Sequence, residues 1–147
     1  EVLDRMAARY RDALPLIPGG VEAVRRLAEH YPLALASSSA RILIDQVLQT
    51  AGLAGVFQAT FSTEQVERGK PAPDVYLAAA EALGLAPAAC AAVEDSSNGL
   101  RAASAAGLAV IAVPHRDYPP APDALALADL VVHRLDELTV DAIQQLR

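Results

Sequence analysis

Several informative residue types are scarce in this chain. Cysteine occurs once, at Cys90. An internal disulfide framework is therefore excluded, and a reducing, cytoplasmic compartment is expected. Cys90 lies in an apolar run and reads as a small core residue rather than a reactive thiol. Aromatic residues make up only 4% of the 147 residues, and the formal net charge is −6. With no basic stripe interleaved with aromatics, no nucleic-acid partner is expected. The longest apolar run, 105–113, contains Gly107 and falls far short of the roughly 20 residues that cross a bilayer. The N-terminal stretch is amphipathic and charged, unlike a signal peptide, so no membrane partner is expected.

What is present is apolar and small. Hydrophobic residues reach 53% and charged residues 20%, with Ala, Leu and Val dominant. That composition suits one globular core in which helices approach a sheet closely.

Residues 1–14 read as a helix, with Leu3, Met6, Tyr10 and Leu14 on one face. Residues 15–20, Pro-Leu-Ile-Pro-Gly-Gly, break it and read as a hinge. From residue 21 to 147, short apolar runs alternate with helical patterns. Strands are expected near 33–36, 57–61, 90–93 and 108–113, with a small edge strand at 130–132. Helices are expected from residue 21, over 41–51, from 74, over 100–107 and 123–128, and as one closing helix over 135–146. The alternation predicts βαβ units and a mostly parallel α/β sheet flanked by helices. The run 90–93 has no helical stripe and reads as a central strand buried on both faces.

Three strand ends carry chemistry. Ser37 follows the run 33–36. Lys70 lies in the loop after 57–61. Glu94 and Asp95 end the run 90–93, just before the N-cap types Ser96, Ser97 and Asn98. Parallel strands point their carboxyl ends one way, so the three junctions converge on one edge. Together they offer a hydroxyl, a point positive charge and hard oxygens of the kind Mg²⁺ accepts beside a phosphate. Phosphoryl transfer needs that positioning and charge neutralisation. Each residue alone has a plainer reading: a helix cap for Ser37, a solvated lysine for Lys70, helix-dipole carboxylates for Glu94 and Asp95. Ser38, Ser39 and Arg41 either reach the substrate or decorate a helix start. Asn98 reads as a first-turn residue. His30 and His133 read as surface residues, and His115 as an ordinary loop residue at the active edge.

The segments 35–39 (Leu-Ala-Ser-Ser-Ser), 69–74 (Gly-Lys-Pro-Ala-Pro-Asp) and 93–99 (Val-Glu-Asp-Ser-Ser-Asn-Gly) resemble, in order and separation, the haloacid dehalogenase-like hydrolases. The match is closest to the β-phosphoglucomutase and sugar-phosphate phosphatase branch, and covers the chain from Pro18 onward. The resemblance implies a Rossmann-like core over 21–147. Residues 1–14 would be a remnant of a helical cap. Ser37 would bind the phosphoryl group, Lys70 would neutralise it together with the nucleophile, and Asp95 would hold Mg²⁺ with Glu94 assisting; Ser38, beside Ser37, is a further substrate-binding candidate. The implied partner is a small phosphorylated substrate; a monomer is expected. The family's first motif, a strand ending in Asp-x-Asp that supplies the nucleophile, has no counterpart here. That strand is expected to lie between those carrying Ser37 and Glu94. The expected activity is Mg²⁺-dependent sugar-phosphate hydrolysis through an aspartyl-phosphate supplied by a missing N-terminal segment. A phosphomutase is the alternative, and the chain by itself is expected to be a non-catalytic piece.

Overall fold

The computed structural model describes residues 19–146. The expected N-terminal helix, and the hinge as far as Pro18, lie outside the described residues. Helix α1 (Gly20–Ala28) opens the fold, followed by strand β1 (Ala34–Ser37), helix α2 (Arg41–Thr50) and strand β2 (Ala59–Ser62). Helix α3 (Asp74–Ala82), strand β3 (Ala91–Glu94), helix α4 (Ser97–Ala106) and strand β4 (Ala109–Ala112) come next. A short helix α5 (Pro122–Leu125), strand β5 (Leu130–Val131) and helix α6 (Val140–Gln144) close the chain.

Every described strand pair is parallel. β1 pairs with β2, Ser37 opposite Ser62, while β3, β4 and β5 form a second sheet in that order. The expected α/β architecture is present, but as two sheets. An apolar cleft of about 720 Å³, lined by Leu35 and Ala36 of β1 and by Ala91 and Val93 of β3, takes the place of a ladder joining them. β3 is therefore an edge strand among the described strands, not a central one. Nor is it buried on both faces: Ala92 is covered, whereas Val93 is 42% exposed because it faces this open cleft.

Packing explains the alanine-rich composition. β4 is buried along its whole length. Val110 and Ala112 meet a cluster that includes Val75, Leu100, Ala102 and Ala103. Ile111 faces the opposite side, against Leu27, Leu135 and Leu138. These faces follow from the strand's two-residue period. Alanines on α4 let its backbone approach the sheet, and Gly107 ends the helix at φ +86, a conformation that glycine adopts without a Cβ penalty.

One expected element differs. The closing helix over 135–146 is divided into a 3₁₀ turn at Leu135–Glu137 and α6. The break has a local cause: Thr139 caps α6, its hydroxyl accepting from the Ala142 N–H at 3.1 Å. Among the described residues no helix is long and apolar enough to cross a membrane.

Candidate active site

The carboxyl ends of β1 and β3 open on one cavity of about 400 Å³. It is lined by Ser37, Ser38, Ser39, Lys70, Glu94 and Asp95, among others. The three strand-end junctions thus meet as the parallel geometry requires.

The β1 side is a serine turn. Ser37 Oγ accepts from the Ser39 N–H at 3.1 Å, which leaves its own O–H to donate to a ligand. Ser39 is tied down from below: the fully buried Ser62 donates its hydroxyl to the Ser39 carbonyl at 2.7 Å. Ser62 in turn caps the 3₁₀ turn Thr63–Gln65 in a reciprocal capping box with Gln65. Arg41 is spent on the same scaffold. Its guanidinium donates to the Thr60 carbonyl and hydroxyl and to Asp45, and its backbone N–H donates to Glu64. Of its two open readings, the structure therefore selects the helix start. Ser38 lines the cavity and is exposed.

The β3 side is charged and buried. Lys70 follows β2 and begins the Lys70–Pro71 cis peptide ahead of α3. Its side chain is only 8% exposed, so it is not a solvated loop lysine. The ammonium donates to Glu94 Oε1 at 2.5 Å and to the Ala36 carbonyl at 3.1 Å. It also lies 5.0 Å from the centre of the Tyr76 ring. The Tyr76 hydroxyl donates to the same Glu94 oxygen. Burial, then the charge of Glu94 beside it, pushes the Tyr76 phenol far above its ordinary value, so it remains a protonated donor. Lys70 is the chain's only lysine.

Glu94 rests on Gly99. A Cβ at that position would fall 2.0 Å from Glu94 Oε2, so only glycine leaves room for the carboxylate. The adjacent Asp95 is exposed, lines the cavity and has no hydrogen-bond partner among the described residues. The donor set fits a divalent cation that takes one or two protein carboxylates and completes its shell with water and phosphate. Asp95 offers both oxygens, while Glu94 has committed Oε1 to Lys70 and Tyr76. Among the described residues no group of three or more His, Cys, Asp or Glu side chains could hold a metal alone.

α4 begins three residues earlier than its apolar pattern suggests, because Ser96 caps it by accepting from the Gly99 N–H at 3.0 Å. Asn98 accepts from Arg101 at 3.4 Å, as a first-turn residue does. His115 Nδ1 accepts from the backbone N–H groups of Asp117 and Tyr118, which folds the loop after β4 on itself. Sequence reasoning missed Tyr76, Ser62 and the room made by Gly99. The capping box was readable as Ser62-x-x-Gln65, and a glycine in the first turn of a helix marks a close approach.

In parallel α/β folds ligands bind outside the carboxyl ends of the strands, and here those ends gather a hydroxyl, an ammonium and carboxylates. The family model of the haloacid dehalogenase-like hydrolases matches residues 2–107, and the chain belongs to that family. Hexitol phosphatase B of Escherichia coli strain K12 is 39% identical over 144 residues, covering 95% of this chain and 64% of the relative. A haloacid dehalogenase family hydrolase from Deinococcus radiodurans R1, solved with phosphate and sodium, matches with a TM-score of 0.77 at 33% identity. That match covers 88% of this chain and 59% of the other. CbbY from Rhodobacter sphaeroides, solved with phosphate, matches with a TM-score of 0.81 at 26% identity, covering 96% and 64%. The chain spans less than two thirds of the length of these relatives.

Proposed function

We propose that the complete protein is a Mg²⁺-dependent phosphatase of small phosphorylated metabolites, sugar phosphates foremost, and that this chain carries the half of its site that binds phosphate. The observation that carries this reading is the meeting of Ser37, Lys70 and Asp95 on one cavity large enough for a phosphoryl group. The relatives add support, being a hexitol phosphatase and a CbbY crystallised with phosphate. A single cysteine favours a reducing, cytoplasmic compartment.

Each residue has a task. Ser37 donates its O–H to a phosphoryl oxygen, and Ser38 lines the same wall. Lys70, with two N–H groups directed to Glu94 and Ala36, turns the third toward the ligand and neutralises charge there. Asp95 would hold Mg²⁺, with Glu94 adding negative charge beside it. When bound, the ion supplies further neutralisation of the phosphoryl oxygens. An aspartate from a segment outside this sequence would attack phosphorus and form an aspartyl-phosphate. The P–O bond to the sugar breaks, a second aspartate protonates the leaving oxygen, and water then hydrolyses the acyl phosphate. The apolar cleft between β1 and β3 has the lining that a strand delivering such aspartates to the cavity would need.

The test joins the coding sequence upstream of Glu1 to this chain and measures phosphate release from hexitol and sugar phosphates with and without Mg²⁺. The expected result is Mg²⁺-dependent release that falls about 100-fold or more in Lys70→Ala, while the 147-residue chain alone shows no turnover. Equal rates without metal would overturn the reading. An isomerised sugar phosphate as product would make the enzyme a mutase.

A further inference from the structure

Tyr76 has no task in the chemistry proposed above, yet it touches both charged groups at the cavity floor. It lies on the buried face of α3 and is 7% exposed. A buried tyrosine needs a partner for its hydroxyl, and this one has chosen a carboxylate. Glu94 Oε1 accepts from both Tyr76 and Lys70, and the other oxygen is pressed against Gly99. A glutamate on a strand end has several open rotamers. The room above Gly99 and the two donors on one oxygen favour the one that Glu94 adopts.

We propose that Tyr76 is a positioning residue: its hydroxyl fixes the Glu94 carboxylate so that Glu94 aims Lys70 into the cavity. The ammonium then has two of its three N–H groups committed, to Glu94 and Ala36, and one left for the cavity that Lys70 lines. Without the phenolic O–H, Oε1 keeps Lys70 alone and the carboxylate loses one of its two restraints. The ring of Tyr76 lies 5.0 Å from the ammonium and stays in place in a phenylalanine variant, so the hydroxyl can be tested by itself. The inference rests on the phosphate reading only for its second readout.

The chain's single lysine makes the test direct, because ¹⁵N-lysine labelling of the 147-residue protein gives one side-chain ammonium signal. In Tyr76→Phe the order parameter of Lys70 Nζ is expected to fall to roughly half, toward values of flexible groups. Affinity for inorganic phosphate is expected to drop about fivefold, as for one lost hydrogen bond. Tyr31→Phe is the control. The Tyr31 hydroxyl is buried with no partner among the described residues, so its removal leaves Lys70 order and phosphate affinity unchanged. A purely structural role for Tyr76 would lower the thermal midpoint and leave Lys70 order alone, which would overturn the proposal. Should Tyr76→Phe not fold, the unaltered chain still decides. Its Tyr76 hydroxyl proton must then exchange slowly and show a nuclear Overhauser contact with Lys70, and the absence of that contact overturns the idea. If the unaltered chain binds no phosphate, the functional reading falls while Lys70 order still tests Tyr76. If phosphate binds and Tyr76→Phe changes neither readout, Tyr76 alone is rejected.

Discussion

The two banks of the cavity are held by different forces. On the β1 bank the serine turn is fixed by separate hydrogen bonds: the buried Ser62 hydroxyl donates to the Ser39 carbonyl, the Arg41 N–H to the Glu64 carboxylate, and the Arg41 guanidinium to the Thr60 carbonyl. On the β3 bank an ammonium and a carboxylate, each 8% exposed, face one another under a tyrosine and on a glycine. Separate hydrogen bonds like those of the β1 bank each contribute about 0.5–3 kcal/mol net, the larger values where one partner is charged, and fail one at a time. A buried ion pair fails as a unit, because either partner left alone is an uncompensated charge. The β1 bank is thus graded in its tolerance of change, and the β3 bank is all or none.

The sharpest way to break this contrast is to remove the pair in two ways. Glu94→Leu leaves Lys70 buried without its anion and is expected to cost about 3–5 kcal/mol in urea unfolding. Lys70→Met with Glu94→Leu replaces both charges by apolar side chains and is expected to recover most of that loss, since such replacements are often neutral or stabilising. Both variants lose phosphate binding. A double variant as unstable as the single one would mean that the ion pair itself holds the β3 bank together.

On the other bank, Ser62→Ala removes one donor to the Ser39 carbonyl and the acceptor of the Glu64 N–H, which lies 3.1 Å from Ser62 Oγ. Because Ser62 is fully buried, the expected loss is about 1–3 kcal/mol, measured by the same unfolding experiment. Phosphate binding weakens but persists, since Ser37 keeps its hydroxyl and Lys70 its position. Complete loss of binding would show that the serine turn is as brittle as the charged bank.

The same contrast explains what could be read from the sequence. Convergence of Ser37, Lys70 and Asp95 follows from strand polarity alone, a rule that needs only the order of elements. The β1 scaffold was partly readable, because Ser62-x-x-Gln65 is a local signature. Glu94, Tyr76 and Gly99 were legible as residues but not as a unit. Tyr76 fits an apolar helix face as well as it fits a carboxylate, and only the packing of α3 on β1, β2 and α4 brings its hydroxyl to Glu94, 18 positions along the chain. Arg41 looked equally suited to substrate or scaffold until Thr60, 19 residues away, took its guanidinium. The exposure of Val93 was hidden for the opposite reason. An apolar strand reads as covered on both faces, and nothing within the run 90–93 itself records a cleft beside it; only the resemblance, by placing an absent strand between those carrying Ser37 and Glu94, implies one.

The smallest expected effect lies at the surface, where α4 meets α5, and marks the lower end of the scale. Arg101 donates to both oxygens of Asp123, at 3.1 and 3.3 Å, and holds that carboxyl below its ordinary value of 3.8. A depressed folded-state value means that the pair stabilises the fold above the unfolded value and loses this contribution as pH falls through the folded one. The difference in stability between the unaltered chain and Arg101→Gln should therefore be constant above about pH 5 and shrink below 3.8. Because Asp123 is wholly exposed, solvent and salt screen the pair. Raising the ionic strength should erase the difference at neutral pH while leaving the cost of Glu94→Leu nearly intact. Equal salt sensitivity of the two would mean that the Lys70–Glu94 pair is reached by solvent, and the contrast between the banks would fail with it.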